Sequence, residues 1–185
     1  MRAYAKRDFP VANIRRLLEP GPIVLVSSAW RGATNIMTMG WHTVMEFTPS
    51  LVGCIIADGN HSHGMIKSSR ECVINVPTYD LAAEVVGIGN CSGAKVDKFE
   101  AFALTRAESL VVRAPGIKEC YANLECKLVD AKLVASYNFF VFEVVKARAA
   151  ASPKFPQTMH YRGDGEFMLA GRNVSLRAKF KPENL

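Results

Sequence analysis

No apolar run in this chain approaches the roughly 20 residues that a membrane-spanning helix needs. The N-terminal residues 1–10 carry basic side chains but no hydrophobic h-region, so no secretion signal is read there. No run of five or more like charges occurs, although the formal net charge is +6 at pH 7. Lys and Arg are instead scattered from Arg2 to Lys181. That spread favours a small anionic ligand, or solubility alone, over nucleic acid. The five cysteines, Cys54, Cys72, Cys91, Cys120 and Cys126, contain no CxxC pair. The odd count and the missing signal point to reduced thiols in the cytoplasm. Walker A, HExxH and GxSxG motifs are absent. Gly87-Ile88-Gly89 lacks a third glycine at Ser92 and follows a helical pattern rather than a strand, so it is not a dinucleotide fingerprint. His61 and His63 have no obvious third metal ligand near them in the sequence.

What is present is the composition of a globular protein: 185 residues, 49% hydrophobic and 22% charged. That length buries a substantial core and suggests a single domain over 1–185, with a core of about 20–170 and a polar tail from 173 to 185. Pro10 opens a short helical pattern, and Pro20-Gly21-Pro22 stops it. Ile23–Ser28 reads as a first strand, Leu51–Ala57 as a central strand buried on both faces, and Glu71–Val76 as another. Ser62 caps a short helix from about His63 to Ser69, and Asp97 caps one through Phe99 and Phe102. A further helix covers Asp80–Ile88. Leu124, Cys126 and Leu128 alternate with polar residues as in a half-buried strand, Asn138–Val145 is a strand, and Gly163-Asp164-Gly165 turns a hairpin. The fold is mainly β (α+β): six to eight strands with short helices between them and no regular βαβ alternation. A small, mostly antiparallel barrel with peripheral helices fits that pattern.

One stretch combines strand-forming and ligand-binding residue types: Asn35-Ile36-Met37-Thr38-Met39-Gly40-Trp41-His42-Thr43. Amides, hydroxyls, sulfur and an indole together suit a flat ligand with a polar edge. The alternative is a plain strand with a wet face. Ser62, His63 and Gly64 open a helix whose free amides suit a phosphate, or form a simple cap. Lys98 follows a glycine-bearing loop, where it can meet a phosphate or a ring edge, or merely begin a solvated helix. Cys91 is the one cysteine in a polar loop and hence a candidate for site chemistry, while Cys54, Cys72 and Cys126 act as small hydrophobes. His160 and Tyr161 either line a cleft or edge the hairpin.

These segments, in this order, resemble the flavin reductase-like family, which has an FMN-binding split barrel, and within it the flavoredoxin group. The matching pieces are Gly21–Val26, Asn35–Trp41, Phe47–Pro49, His61–Ile66, Val73–Pro77, Ser92-Gly93 with Val96–Phe99, Ala114–Ile117 and Leu124–Cys126. The resemblance implies an antiparallel split β-barrel that forms a homodimer, with one non-covalent FMN per subunit near the dimer interface. It implies that Asn35, Ile36, Met37, Thr38, Gly40, Trp41, His42 and Thr43 lie along the flavin. Asn60, His61, Ser62 and His63 would hold the phosphate, and Cys91, Ser92, Gly93 and Lys98 would close on the ring or ribityl chain. The family usually has an aromatic where this chain has Ser62 and Thr where it has His63, so either residue here can supply the phosphate contact. The implied activity is electron transfer through FMN, either from NAD(P)H as a flavin reductase or with a redox partner protein as an electron carrier. No general acid or base is implied. A non-enzymatic barrel that binds an anionic ligand or nucleic acid is the competing reading, kept open by the positive charge.

Overall fold

Apolar runs separated by glycine, proline and polar turns produce a chain of strands, and the computed structural model shows twelve among the described residues, 3–184. Met1, Arg2 and Leu185, the end of the expected tail, lie outside that range. The strands are β1 (Lys6–Asp8), β2 (Val24–Trp30), β3 (Ala33–Met39), β4 (His42–Phe47), β5 (Ser50–Ile55), β6 (Glu71–Val76), β7 (Arg106–Ala107), β8 (Gly116–Ile117), β9 (Ala122–Asp130), β10 (Phe139–Ala150), β11 (Met159–Gly163) and β12 (Glu166–Leu169). The α-helices are α1 (Arg15–Leu18), α2 (His61–Ser69), α3 (Ala82–Gly89), α4 (Lys98–Ala101) and α5 (Val134–Tyr137).

Eight strands make one sheet whose pairings are all antiparallel. Its path is β3–β2–β6–β9–β10–β5–β4, with β1 joined to the far half of β10. The two ends of that path, β3 and β4, are consecutive in the chain and separated only by Gly40 and Trp41. The sheet must therefore curl until its ends approach, which yields a barrel split between β3 and β4. The expected antiparallel barrel with short peripheral helices is what the chain adopts.

Strand alternation sorts the core into two layers. Val24 and Val26 of β2, Met37 of β3, Ile74 of β6, Leu124 of β9 and Phe142 of β10 fill the barrel. Leu25 and Ile36, on the opposite faces of β2 and β3, pack outward under Leu81, Val85, Ile88 and Phe99. Cys54, Cys72 and Cys126 are buried in the barrel layer. The Cys72 thiol is held far above its ordinary pKa by its hydrogen bond to Cys126 and by burial, and Cys54 by burial.

Three expectations are corrected. Asn35–Thr43 is not one strand: β3 ends at Met39, and the chain turns at Gly40-Trp41 into β4. A Cβ on Gly40 would lie 2.9 Å from Ile23 Cδ1, so this corner is tight. β6 is buried along its whole length, whereas β5 lies beside the edge strand β4 and leaves Ile55 exposed. The polar residues Asn123 and Glu125 of β9 are buried rather than solvated. Asn123 donates to Asn75 Oδ1 at 2.7 Å and to the Ile117 carbonyl at 3.0 Å. The Glu125 carboxyl accepts the amides of Leu110, Val111 and Val112 at 2.6–3.2 Å. Among the described residues the tail after Arg172 has two 3₁₀ turns, Arg177–Lys179 and Pro182–Asn184, and no α-helix. Among the described residues no helix is long and apolar enough to cross a membrane.

Removing the Glu125 side chain leaves three loop amides without their acceptor. Glu125→Ala is expected to cost about 2–4 kcal/mol, with Glu125→Gln losing about half as much, as measured by urea unfolding.

Candidate functional site

Asp58-Gly59-Asn60 turns the chain into α2, with Asn60 extended at the N-cap position and His61 as the first helical residue. Ser62 is therefore not the cap. It lies inside the first turn, fully buried, and its hydroxyl accepts a hydrogen bond from Asn35 Nδ2 at 2.9 Å. This bond ties the barrel strand β3 to the start of α2. The other side-chain atom of Asn35, Oδ1, is buried and has no partner. The first-turn amides of His61 and Ser62 have no intrahelical acceptor.

The facing wall comes from the end of α3 and from α4. Asp97 caps α4 by accepting the Phe99 and Glu100 amides at 2.9 and 3.3 Å, and it pairs with Arg106 at 2.8 Å. This fixes Lys98, which is buried and donates from Nζ to the Ile88 carbonyl at 2.8 Å, on the last turn of α3. Burial pulls the Lys98 pKa below its ordinary value, and Cys91 acts weakly the other way. The residues between, Asn90–Gly93, complete the wall. A Cβ on Gly93 would lie 1.9 Å from Asn35 Oδ1, so only glycine lets this loop approach β3 so closely. Between the two walls is a cavity of about 290 Å³. An ammonium and a helix N-terminus both face it, which makes it a seat for an anion.

A family model described as "Flavin reductase like domain" matches residues 15–166. The chain belongs to the flavin reductase-like family. An uncharacterized protein of Archaeoglobus fulgidus is 38% identical over 135 residues, 73% of this chain and 76% of its own. Among solved structures, an FMN-binding domain of a flavin reductases-like enzyme from Shewanella baltica matches with a TM-score of 0.87 at 24% identity, covering 95% of this chain and 99% of its own. The flavoredoxin of Desulfovibrio vulgaris (Miyazaki F) matches with a TM-score of 0.77 at 19% identity, covering 85% and 90% respectively. These two likenesses establish the split-barrel fold, and FMN is named as the ligand of the Shewanella domain.

In this flavin reductase-like chain the cavity gathers Asn35, Met37, Asn60, His61, Ser62, Cys91, Ser92, Gly93 and Lys98 from the sequence-based set. Seven others of that set do not line it. Ile36 points to the opposite face of β3 and packs under α3. Thr38 shares that face and donates to the Val85 carbonyl at 2.6 Å. Gly40 forms the corner against Ile23. Trp41 is 72% exposed. His42 Nε2 lies 2.7 Å from the Pro22 carbonyl and therefore carries the proton, consistent with burial lowering its pKa. Thr43 is exposed on β4, and its hydroxyl donates to the neighbouring Val44 carbonyl at 3.3 Å. His63 packs edge-on against Phe140, with ring centroids 5.2 Å apart, and its buried Nε2 has no partner. The sequence reading missed Gly59, Gly89 and Asn90, which also line the cavity. Each adjoins a named segment, so extending those segments by one or two residues would have found them. His160 bonds to Gly21 and Thr158 and stands outside the cavity, as does Tyr161.

These residues fit a phosphorylated flavin on three counts: free helix amides, a buried unpaired amide oxygen, and a glycine that keeps the loop close. Two glycine substitutions test that packing with opposite outcomes. Gly93→Ala forces Asn35 or its loop to move and is expected to cost about 1–3 kcal/mol. That lowers the Tm by roughly 3–9 °C for a chain of this size. Gly89→Ala meets only ordinary contact with Thr38 at 3.6 Å. It is expected to leave the Tm unchanged or raise it slightly, as the helix gains about 0.5–1 kcal/mol. Differential scanning calorimetry of both variants checks this.

Proposed function

We propose that this chain is an FMN-dependent redox protein that accepts electrons from NAD(P)H and passes them on, acting as one flavin-binding domain over 1–185. The observation that carries this reading is the convergence of the first turn of α2, the unpartnered Asn35 Oδ1 and the buried Lys98 on one cavity. The FMN phosphate sits against the amides of His61 and Ser62, with Asn60 beside it. Ser62 supports this contact better than His63, because the His63 ring packs on Phe140. An anion in the seat also favours the charged form of Lys98, against the effect of burial. Cys91–Gly93 close over the ribityl chain. β3 is an end strand of the sheet, so amides on its free edge are available to the polar edge of the ring.

Bound FMN supplies the redox chemistry. The chain binds it, orients it and surrounds it with amide and ammonium dipoles. No paired acid and base is needed. A cytoplasmic location goes with the five free cysteines.

The cavity volume of about 290 Å³ falls just below the usual range for small-molecule sites, roughly 300–1,000 Å³. Part of the cofactor therefore extends beyond it, and a second copy of the chain covers that part. Trp41, Met45, Phe47 and Ile55 leave an apolar stretch exposed on and beside β4 and β5. Such a stretch suits a homodimer interface.

Purified under mild conditions, the protein is expected to show the visible absorption of flavin at about one FMN per chain; a colourless preparation that takes up no added FMN refutes the reading. Anaerobic NADH or NADPH is expected to bleach that absorption. Stable colour with both, and bleaching by dithionite, identifies a flavoredoxin-type carrier instead. Lys98→Met is expected to weaken FMN about tenfold, or about 1.4 kcal/mol, in a fluorescence titration. Analytical ultracentrifugation is expected to give twice the chain mass, and Met45→Lys with Phe47→Lys to shift it to one.

A further inference from the structure

A second cavity is larger than the one assigned to the flavin. It measures about 740 Å³ and lies where β1, α1, the end of β10 and residues 151–158 and 170–173 meet. It shares no lining residue with the cavity at Asn35. Its walls are held by hydrogen bonds. Phe9 N donates to the Ala147 carbonyl at 2.9 Å, Tyr79 N to Gln157 at 2.8 Å and Ala170 N to Thr158 at 2.8 Å. The Tyr121 hydroxyl donates to the Pro153 carbonyl at 2.7 Å. The hollow is thus a built feature, and an occupant does not have to open it.

Its chemistry is divided between floor and rim. Val76, Tyr121, Ala149 and Ala150 are buried and make an apolar floor, and the rings of Phe9 and Phe155 stand beside it. Arg7, Arg16 and Lys154 are exposed at the rim. Asp8 is the one acidic residue of the lining, and its carboxylate pairs with Lys146 at 2.8 Å. Among the described residues none of the three rim cations makes an ion pair. Three cations without a carboxylate partner, one of them Lys154 lying 5.4 Å from the centroid of the Phe155 ring, stand above an apolar floor edged by aromatic rings, which complements a flat apolar body with one negative head.

We propose that this cavity is a second ligand site, separate from the flavin site, and that it takes a small aromatic monoanion of the carboxylate class. The ring rests on the floor near Tyr121 and Phe155, and the carboxylate meets Arg16 and Lys154 at the rim. The volume lies within the range of small-molecule sites, roughly 300–1,000 Å³. This assignment does not depend on the flavin reading, because no residue serves both sites.

Isothermal titration of the FMN-saturated protein with 2-naphthoate tests it. One saturable site per chain is expected, with an affinity unchanged by FMN. The neutral analogue 2-naphthamide and the double variant Arg16→Gln/Lys154→Gln are each expected to bind at least tenfold more weakly. FMN content and the circular dichroism spectrum of the variant should match the parent. A Cβ on Gly171 meets nothing within 4 Å; Gly171→Trp is therefore expected to fill the mouth and abolish binding without unfolding the chain. Absence of saturable heat at millimolar 2-naphthoate overturns the proposal. So does equal binding by the parent and the double variant, or competition with FMN.

Discussion

Gly40 and Trp41 join two strands that stand at opposite ends of a seven-strand path, and that two-residue connection governs the rest of the molecule. A sheet whose first and last strands are tied so closely cannot stay open. Its interior becomes a closed space that Val24, Val26, Ile74, Leu124 and Phe142 fill. Its outer surface at β2 and β3 also carries apolar residues, Leu25 and Ile36, which must be covered. α3 and α4 do this, and in doing so they bring the loop from Asn90 to Gly93 and the side chain of Lys98 against the free side of β3. α2 arrives from the other direction, because it follows β5 and packs on β2 before β6 begins. The candidate site is the gap these coverings leave.

Polar residues within the fold divide by whether their partners are complete. Asn75 is buried beside Asn123 and donates to the Leu25 carbonyl and Ser27 Oγ, while its own oxygen accepts from Ile117 and Asn123. Glu125 is buried and holds three loop amides. These groups stitch the segment from Leu110 to Ile117 onto the sheet, and burial without partners would cost each of them more than the bonds return. Asn35 and Asn123 each leave a buried Oδ1 without a partner, but only Asn35 lines the cavity, where Ser62 satisfies its Nδ2 alone. An unpaired buried acceptor next to an open cavity marks a place where a ligand completes the network.

Much of this was legible in the sequence. β6 is legible to the residue, because Glu71–Val76 is bounded by a helix end and by Pro77. Asp97 is legible as a cap, since an Asp before Lys-Phe-Glu can accept the amides that follow it. The hairpin at Gly163–Gly165 followed from its two glycines, both of which adopt positive φ. The sequence marks the start of α2 two residues late and assigns Ser62 the cap that Asn60 takes. A serine near a helix start looks like a cap until a partner from a distant strand claims its hydroxyl. Asn123 and Glu125 read as solvated for the same reason: alternation with apolar residues cannot distinguish solvent from a covering loop that carries its own amides.

The sequence by itself determined the elements and their chemistry. It established the strand runs, the glycine and proline breaks between them, an antiparallel barrel, and the three segments from which the candidate site is drawn. These depend on local preference and on periodicity, which are properties of neighbouring residues. Tertiary structure alone decided which side chains of those segments meet. Asn35 and Met37 face the cavity whereas Ile36 and Thr38 face α3, because the pleat alternates and β3 pairs with β2 in one register. Trp41 and His42 fall outside this cavity because the chain bends at Gly40 to close the barrel, a demand set by strands as far away in sequence as β10.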